Sequence, residues 1–381
     1  MLHPEAGKAG QRKNLFERNP RKTLIFTILI FILLADMAAR IIVDPAGHSF
    51  RCSSPYYHHD FLPNQNSETT WGNRQYRIYT NSIGFRDRAI RDIPLESKQK
   101  RLLLIGDSFI EGMGVTYESS VAGILGDSLN SDATEVLNAA AVSYSPKLYF
   151  LKTRYLLEQK HLAFNELFVF IDISDPHDEI IYKYWEPTSG NPFASGLRAV
   201  DGFFQTHSFF YSYFAARKRL NRQNSISNVF PAEGSADSQF WVQDLKEYLR
   251  RADPEKDRFL WPNKKSALDE WGREGLSLCA KYVAELQELC VRHGVRLTIV
   301  VYPSPYQLTG SNLTGVPVTF WQSFAKEHRI GFLNLFPAFI GSQPPEVVYA
   351  TYFIKGDIHW NEAGNRLVAE SVLEYIRKGS Q

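Results

Sequence analysis

From residue 100 onward the chain alternates apolar runs of strand length with stretches of helical spacing, and this rhythm constrains the fold more than any other feature. The apolar runs fall at 101–105 (RLLLI), 135–139 (EVLNA), 166–173 (ELFVFIDI), 295–302 (VRLTIVVY) and 331–335 (GFLNL). Helical spacing marks 118–130, 146–160, 275–293, 317–329 and 361–378. Strands that are apolar without interruption are buried on both faces, as in a parallel sheet held between helices. The expected class is α/β: a three-layer α/β/α, doubly wound, mostly parallel five-stranded sheet with its functional groups at the carboxyl ends of the strands.

The 381 residues divide unevenly around this region, and 44% apolar composition is enough for a substantial core. Residues 97–378 read as the main domain. Residues 44–96 read as a connector, with Pro45, Pro55, Pro63 and Pro94 and only short strand-like pieces such as Tyr76–Thr80. The rhythm lapses at about 180–270, an insertion rich in aromatics (Phe203, Phe204, Phe209, Phe210, Tyr211, Tyr213, Phe214) and then in Ser and Asn. Such an excursion is expected to cover the mouth of the sheet or to pack on a membrane or partner; as a helical insertion, its rings are core. No internal repeat is apparent.

The amino end has a different character. Residues 1–22 carry Lys8, Arg12, Lys13, Arg18, Arg21 and Lys22 against Glu5 and Glu17, a net +4 in a chain whose total is +2. With the charge on a leader rather than on the folded domain, no nucleic-acid surface is expected. Thr23 to Ala35 is uninterruptedly apolar and reaches the ~20 residues of a bilayer span only if 37–43 are included past Asp36 and Arg40. We read 23–43 as a transmembrane signal-anchor, with a cleaved signal peptide as the alternative, although no small-x-small site follows Ala35. Either reading exports the remainder and leaves the basic tail 1–22 cytoplasmic, the anchor reading giving a single-pass membrane protein with its domain on the outer side; a buried core helix is the third reading.

Two short motifs carry the chemistry. Leu102–Ile105 delivers Gly106-Asp107-Ser108 to a glycine-containing turn, which is how an α/β protein presents a nucleophilic serine. A serine hydroxyl needs a base within hydrogen-bond reach and donors for the oxyanion. Near the other end, Asp357-Ile358-His359 supplies an imidazole and a carboxylate just before a helical run that Asn361 caps. A second Gly126-Asp127-Ser128 follows Val121, Ile124 and Leu125 at helical spacing and reads as the end of a surface helix.

Other polar clusters are less specific. His58-His59-Asp60 reads as a solvated loop rather than a metal site. Asp172, Asp175, His177, Asp178 and Glu179 suit either a cation or sugar hydroxyls, or a solvated helix start. Cys279 and Cys290 lie eleven residues apart in one helix, roughly 16 Å, too far for a disulfide. A bond from Cys52 to either stays open. No phosphate-binding glycine loop is present.

These motifs together resemble the SGNH, or GDSL, hydrolase superfamily over roughly residues 75–378. Gly106-Asp107-Ser108 resembles its first block, which implies that Ser108 is the nucleophile. Asn138 to Ser145 (NAAAVSYS) resembles the second, which implies a backbone oxyanion donor at Ser143, where the family carries glycine. Asp172-Ile173-Ser174-Asp175 is similar to the third, with Ser174 in place of the oxyanion asparagine. Asp357-x-His359-Trp360 departs from the common Asp-x-x-His and is similar to the form in membrane-anchored, polysaccharide-acetylating relatives, as is Tyr79 to Asp87. The resemblance implies a Ser-His-Asp esterase that uses no metal or organic cofactor. Its expected partners are an acylated envelope polysaccharide or small ester, the membrane, and glycan-assembly proteins. An O-acetyltransferase, or a non-catalytic glycan-binding component, is the alternative.

Overall fold

The computed structural model describes residues 19–42, 50–130, 133–188, 200, 204, 208, 210–211, 257–341 and 343–379. Most of the expected insertion at 180–270, including four of its seven named aromatics, therefore lies outside the described residues.

The five expected parallel strands are all present as β6 (Lys100–Ile105), β7 (Thr134–Asn138), β8 (Glu166–Ile171), β9 (Arg296–Val301) and β10 (Gly331–Asn334). The sheet, however, has eight strands rather than five, in the order β10-β9-β8-β6-β7-β5-β4-β3. The three additional strands come from the segment read as a connector: β3 (Asn66–Trp71), β4 (Arg74–Thr80) and β5 (Arg86–Asp87), all antiparallel. A separate two-stranded hairpin, β1 (Arg51–Ser54) and β2 (His58–Phe61), precedes them. The connector reading is corrected accordingly, because 51–87 is folded and ordered by strand pairing.

The apolar runs form strands for the reason given by their composition: Leu102 to Ile105 and Leu167 to Phe170 are buried on both faces. One face is covered by helices α4 (Pro146–Arg154), α5 (Asp175–Tyr182) and α6 (Arg273–Arg292), which pack on one another. The other is covered by α3 (Val121–Leu129) and the closing α8 (Glu362–Gly379), whereas α7 (Val316–His328) packs against β9 and β10 and meets α6 on the first face. A close approach joins α5 to α6, since a Cβ on Gly275 would stand 2.1 Å from the Pro176 carbonyl oxygen. Ser128 falls in the last turn of α3, as its helical spacing indicates.

This topology fixes where a site can form. The chain runs from β6 to β7 on one side and then returns to β8 on the other side of β6. The loops leaving the carboxyl ends of these strands diverge there, and such a switch point opens the crevice in which doubly wound sheets hold their functional groups. Ser108 follows β6 at that point as the first residue of α2 (Ser108–Glu111).

The amino-terminal helix α1 (Pro20–Ile42) presents Leu24, Ile25, Phe26, Leu29, Phe31, Leu33 and Leu34 outward. Among the described residues no helix is long and apolar enough to cross a membrane. The side chains of α1 are described without a break only as far as Asp36, so the expected span 23–43 lies partly outside them.

Candidate active site

The site is built where α2 starts. The Asp107 carboxylate caps this turn by accepting the Phe109 N–H at 3.0 Å, which sets the Ser108 side chain at the end of β6. Ser108 itself is 7% exposed. On the opposite side, Asn361 caps α8 by accepting the Gly364 N–H at 3.0 Å, and the loop entering that cap carries Asp357 and His359.

The two motifs meet although 251 residues separate them. His359 Nε2 lies 2.8 Å from Ser108 Oγ, and His359 Nδ1 lies 2.6 Å from Asp357 Oδ1. An ionised carboxylate only accepts, so Nδ1 carries the proton and Nε2 is left to accept from the serine hydroxyl. The Asp357 carboxylate also accepts the His359 backbone N–H at 2.9 Å and the indole N–H of Trp71. The imidazole is packed edge-on by Trp71 and tilted against Phe109, with ring centroids 5.3 and 5.0 Å away.

The titration of these groups follows from burial and charge. Burial alone would push the His359 imidazole down. The Asp357 charge and hydrogen bond outweigh it, followed by Asp107 and Asp172, and hold the pKa above its ordinary value. Burial opposes ionisation of Asp357 too, but His359 and the N–H donors hold it below the ordinary carboxylate range. Asp107 behaves oppositely: burial and then Asp172 push it well up, and Asp172 is itself raised by burial.

The expected oxyanion residues have different surroundings. Ser143 has φ +57°, the left-handed region where the related motif has glycine, at a cost of roughly 1–2 kcal/mol for a residue with a Cβ. Among the described residues no hydrogen bond takes its N–H. Its loop is clamped at the residue before that N–H: Val142 N–H donates to Glu111 Oε2 at 2.7 Å, and Val142 O accepts from His59 Nε2 at 2.7 Å. Ser174, by contrast, has its N–H engaged at Asp172, whose Oδ1 accepts it at 2.6 Å.

Several groups that hold the site were not legible as site residues. Glu111 is fully buried, closes α2, and is gripped by both terminal nitrogens of Arg51 from β1 at 2.9 and 2.5 Å. His58 and His59 lie in strand β2, not in a solvated loop. Because Val142 O can only accept, His59 Nε2 bears the proton, and its Nδ1 accepts from His58 Nδ1 at 2.8 Å. Asp60 is paired with buried Lys152 at 2.7 Å.

The acidic cluster is likewise corrected from a solvated helix start to a buried floor. Asp172, Asp175, Asp178 and Glu179 are each 2% exposed or less. Arg258 meets Asp178 at 3.0 Å, Tyr149 donates to Asp175 at 3.2 Å, and Glu179 accepts Ser145 Oγ at 2.8 Å and Lys147 N at 2.5 Å. Burial pushes the Glu179 carboxyl up to about 7. Among the described residues no group of three or more His, Cys, Asp or Glu side chains could hold a metal ion. All three cysteines are free thiols. A cleft of about 570 Å³ opens at the other end of the sheet, lined by Lys98, Lys100, His161 and Asn165 among others, and holds none of these site groups.

No family model matches the sequence, and no curated protein matches it. Solved structures do match. A lipolytic protein of the G-D-S-L family from Desulfitobacterium hafniense is 14% identical, with 72% of this chain and 97% of that one covered at a TM-score of 0.37. The psychrotrophic esterase EstA from Pseudoalteromonas sp., solved with monoethylphosphonate as inhibitor, is 11% identical, covering 74% and 98% at 0.38. A GDSL-like lipase from Bacteroides thetaiotaomicron is 10% identical, covering 75% and 93% at 0.35. Two of these three neighbours are named as G-D-S-L or GDSL-like proteins and the third as an esterase. At this distance they assign no activity, and the function has to be read from the site's own geometry.

Proposed function

We propose that this chain is a serine esterase of the SGNH type. One observation carries the reading: the contact chain Ser108 Oγ, His359 Nε2, His359 Nδ1, Asp357 Oδ1, with links of 2.8 and 2.6 Å, assembled at the switch point of the sheet. Ser108 Oγ attacks the acyl carbonyl and passes its proton to His359 Nε2. Asp357 stabilises the imidazolium and fixes its tautomer. The N–H groups of Ser108 and Ser143 receive the oxyanion, and the Ser174 N–H is taken by Asp172. The imidazolium then gives its proton to the departing alcohol, and water releases the acyl group by the same steps in reverse.

The substrate proposed is an O-acyl, most simply O-acetyl, group on an envelope or extracellular polysaccharide, and the location is the outer side of the bacterial inner membrane. Supporting the location are the basic leader and the outward apolar side chains of α1. Supporting the substrate is the likeness of the Asp-x-His-Trp form to polysaccharide-acetylating proteins. If a sugar hydroxyl replaces water in the second half-reaction, the same residues give an O-acetyltransferase.

A fluorophosphonate probe is expected to label the wild-type protein and to spare Ser108→Ala, with p-nitrophenyl acetate hydrolysis lost in both Ser108→Ala and His359→Ala. Equal labelling of a folded Ser108→Ala removes the nucleophile. Glycan binding that is unchanged in both variants, with no hydrolysis by the wild type, makes the protein a binding component instead. A phosphatase fusion at residue 200 that reports the cytoplasmic side overturns the location.

A further inference from the structure

Among the residues of the expected connector, Trp71 donates directly to the Asp357 carboxylate. Strands β3 and β4 form a hairpin with Trp71 paired to Arg74 across Gly72 and Asn73, and Gly72 has φ +58°. Gly72 and Asn73 are exposed, but the side chains of Trp71 and Arg74 on either side of them reach the site. The Trp71 indole N–H donates to Asp357 Oδ2, on the carboxylate oxygen that His359 leaves free, and the ring stands at 90° to the imidazole. Arg74 pins the same tip twice, through Nε to Gly114 O at 2.7 Å on the loop after the nucleophile and through an ion pair with Glu362 at the start of α8. Gly114 lies at φ +78°, where a Cβ would come 2.6 Å from Ile354 and touch Trp71 at 3.4 Å.

We propose that Trp71 is a positioning residue of the triad: its indole N–H fixes the Asp357 carboxylate in the plane that meets His359, and so couples the edge hairpin to the proton-transfer step. This rests on the esterase reading for its kinetic consequence, though not for its effect on the imidazole. A carboxylate with a fixed donor on each oxygen cannot rotate away from the imidazole. With the donor on Oδ2 removed, the carboxylate becomes more basic and holds the imidazolium proton more tightly.

The test compares Trp71→Phe with a protein carrying 3-benzothienylalanine at position 71, which keeps the two-ring outline and lacks the N–H. In both, kcat for p-nitrophenyl acetate is expected to fall roughly tenfold, the lower range for a hydrogen bond to a charged group, with KM within about twofold of wild type. The His359 titration, followed by NMR without substrate, is expected to move upward by a few tenths of a unit together with the acid limb of kcat/KM. A benzothienylalanine protein with wild-type kcat and an unmoved imidazole titration overturns the proposal, and a loss confined to Trp71→Phe assigns the ring to packing alone. If the wild type hydrolyses no ester, the proposed function fails while the titration still decides the role of Trp71.

Discussion

Arg51→Met tests whether the nucleophile turn and the oxyanion loop are held by one buried ion pair. Glu111 has no exposed side-chain surface and Arg51 14%, and the pair is bidentate at 2.9 and 2.5 Å. The arginine also lies 5.0 Å from the centroids of Phe50 and Phe61. Removing one partner of a buried pair leaves an uncompensated charge and costs about 3–5 kcal/mol, several times an exposed pair. Because 14% of Arg51 is exposed, the lower end applies, about 3 kcal/mol at pH 7. The double variant Arg51→Met with Glu111→Gln removes the charge but keeps an acceptor for the Val142 N–H. It is expected to be more stable than Arg51→Met alone, with a coupling energy of about 2 kcal/mol. Urea unfolding at constant m measures both terms. The kinetic counterpart is a lower kcat for Arg51→Met, as Val142 and Ser143 loosen, and substantial recovery in the double variant. A loss under about 1 kcal/mol for the single change, or additive effects in the double, refutes the clamp.

Two further outcomes follow from the titrations. With the His359 pKa raised, the imidazole is protonated in the lower part of the neutral range, so kcat/KM should climb with pH along a limb above about 6.5, whereas a limb below that value contradicts the assigned surroundings. By linkage, this group stabilises the fold below its unfolded pKa and ceases to do so as pH rises through the folded one. Asp175 has its pKa pushed well up, first by burial and then by Asp172 and Asp107, so between the unfolded and folded values the native state binds more protons and loses stability as pH rises. Asp175→Asn should therefore be more stable than wild type at pH 8 and lose that advantage near pH 4, and thermal melts showing the opposite trend exclude a charge-burial cost there.

The five parallel strands were legible because burial on both faces writes itself as unbroken apolar runs such as Leu102 to Ile105. The antiparallel extension was not. In β3 half-exposed residues alternate with exposed ones, so nothing in Asn66–Trp71 stands out as apolar. One signal was available, the Gly72-Asn73 pair between two strand-length segments, which is two-residue hairpin chemistry. The meeting of Ser108 with His359 and Asp357 could be expected from the two motifs, but the supports could not, because Trp71, Arg51 and Glu111 act across 286 and 60 residues with no local pattern. The acidic run after β8 misled for a related reason. Charge density suggests solvent, whereas the Gly275 contact brings α6 directly onto Pro176 and covers α5.

Three carboxyl groups act on one imidazole, and their surroundings push them apart. Asp357 takes donors from His359 Nδ1, the His359 backbone and Trp71, and its pKa is depressed. Asp107 faces Tyr302 Oη at 3.2 Å and the Phe109 N–H, but it is desolvated beside Asp172 and its pKa is raised. Groups separated in this way take different tasks. In the proposed mechanism Asp357 is the charge that stabilises the imidazolium, and Asp107 is the cap that aims Ser108. Asp357→Asn should then lower kcat by about 10⁴, as when a triad imidazole loses its tautomer. Asp107→Asn, which retains an oxygen for the Phe109 N–H, should cost far less and leave the acid limb of kcat/KM nearly in place. Equal losses in the two variants would refute this division of tasks, because Asp107 would then matter to His359 as much as Asp357 does.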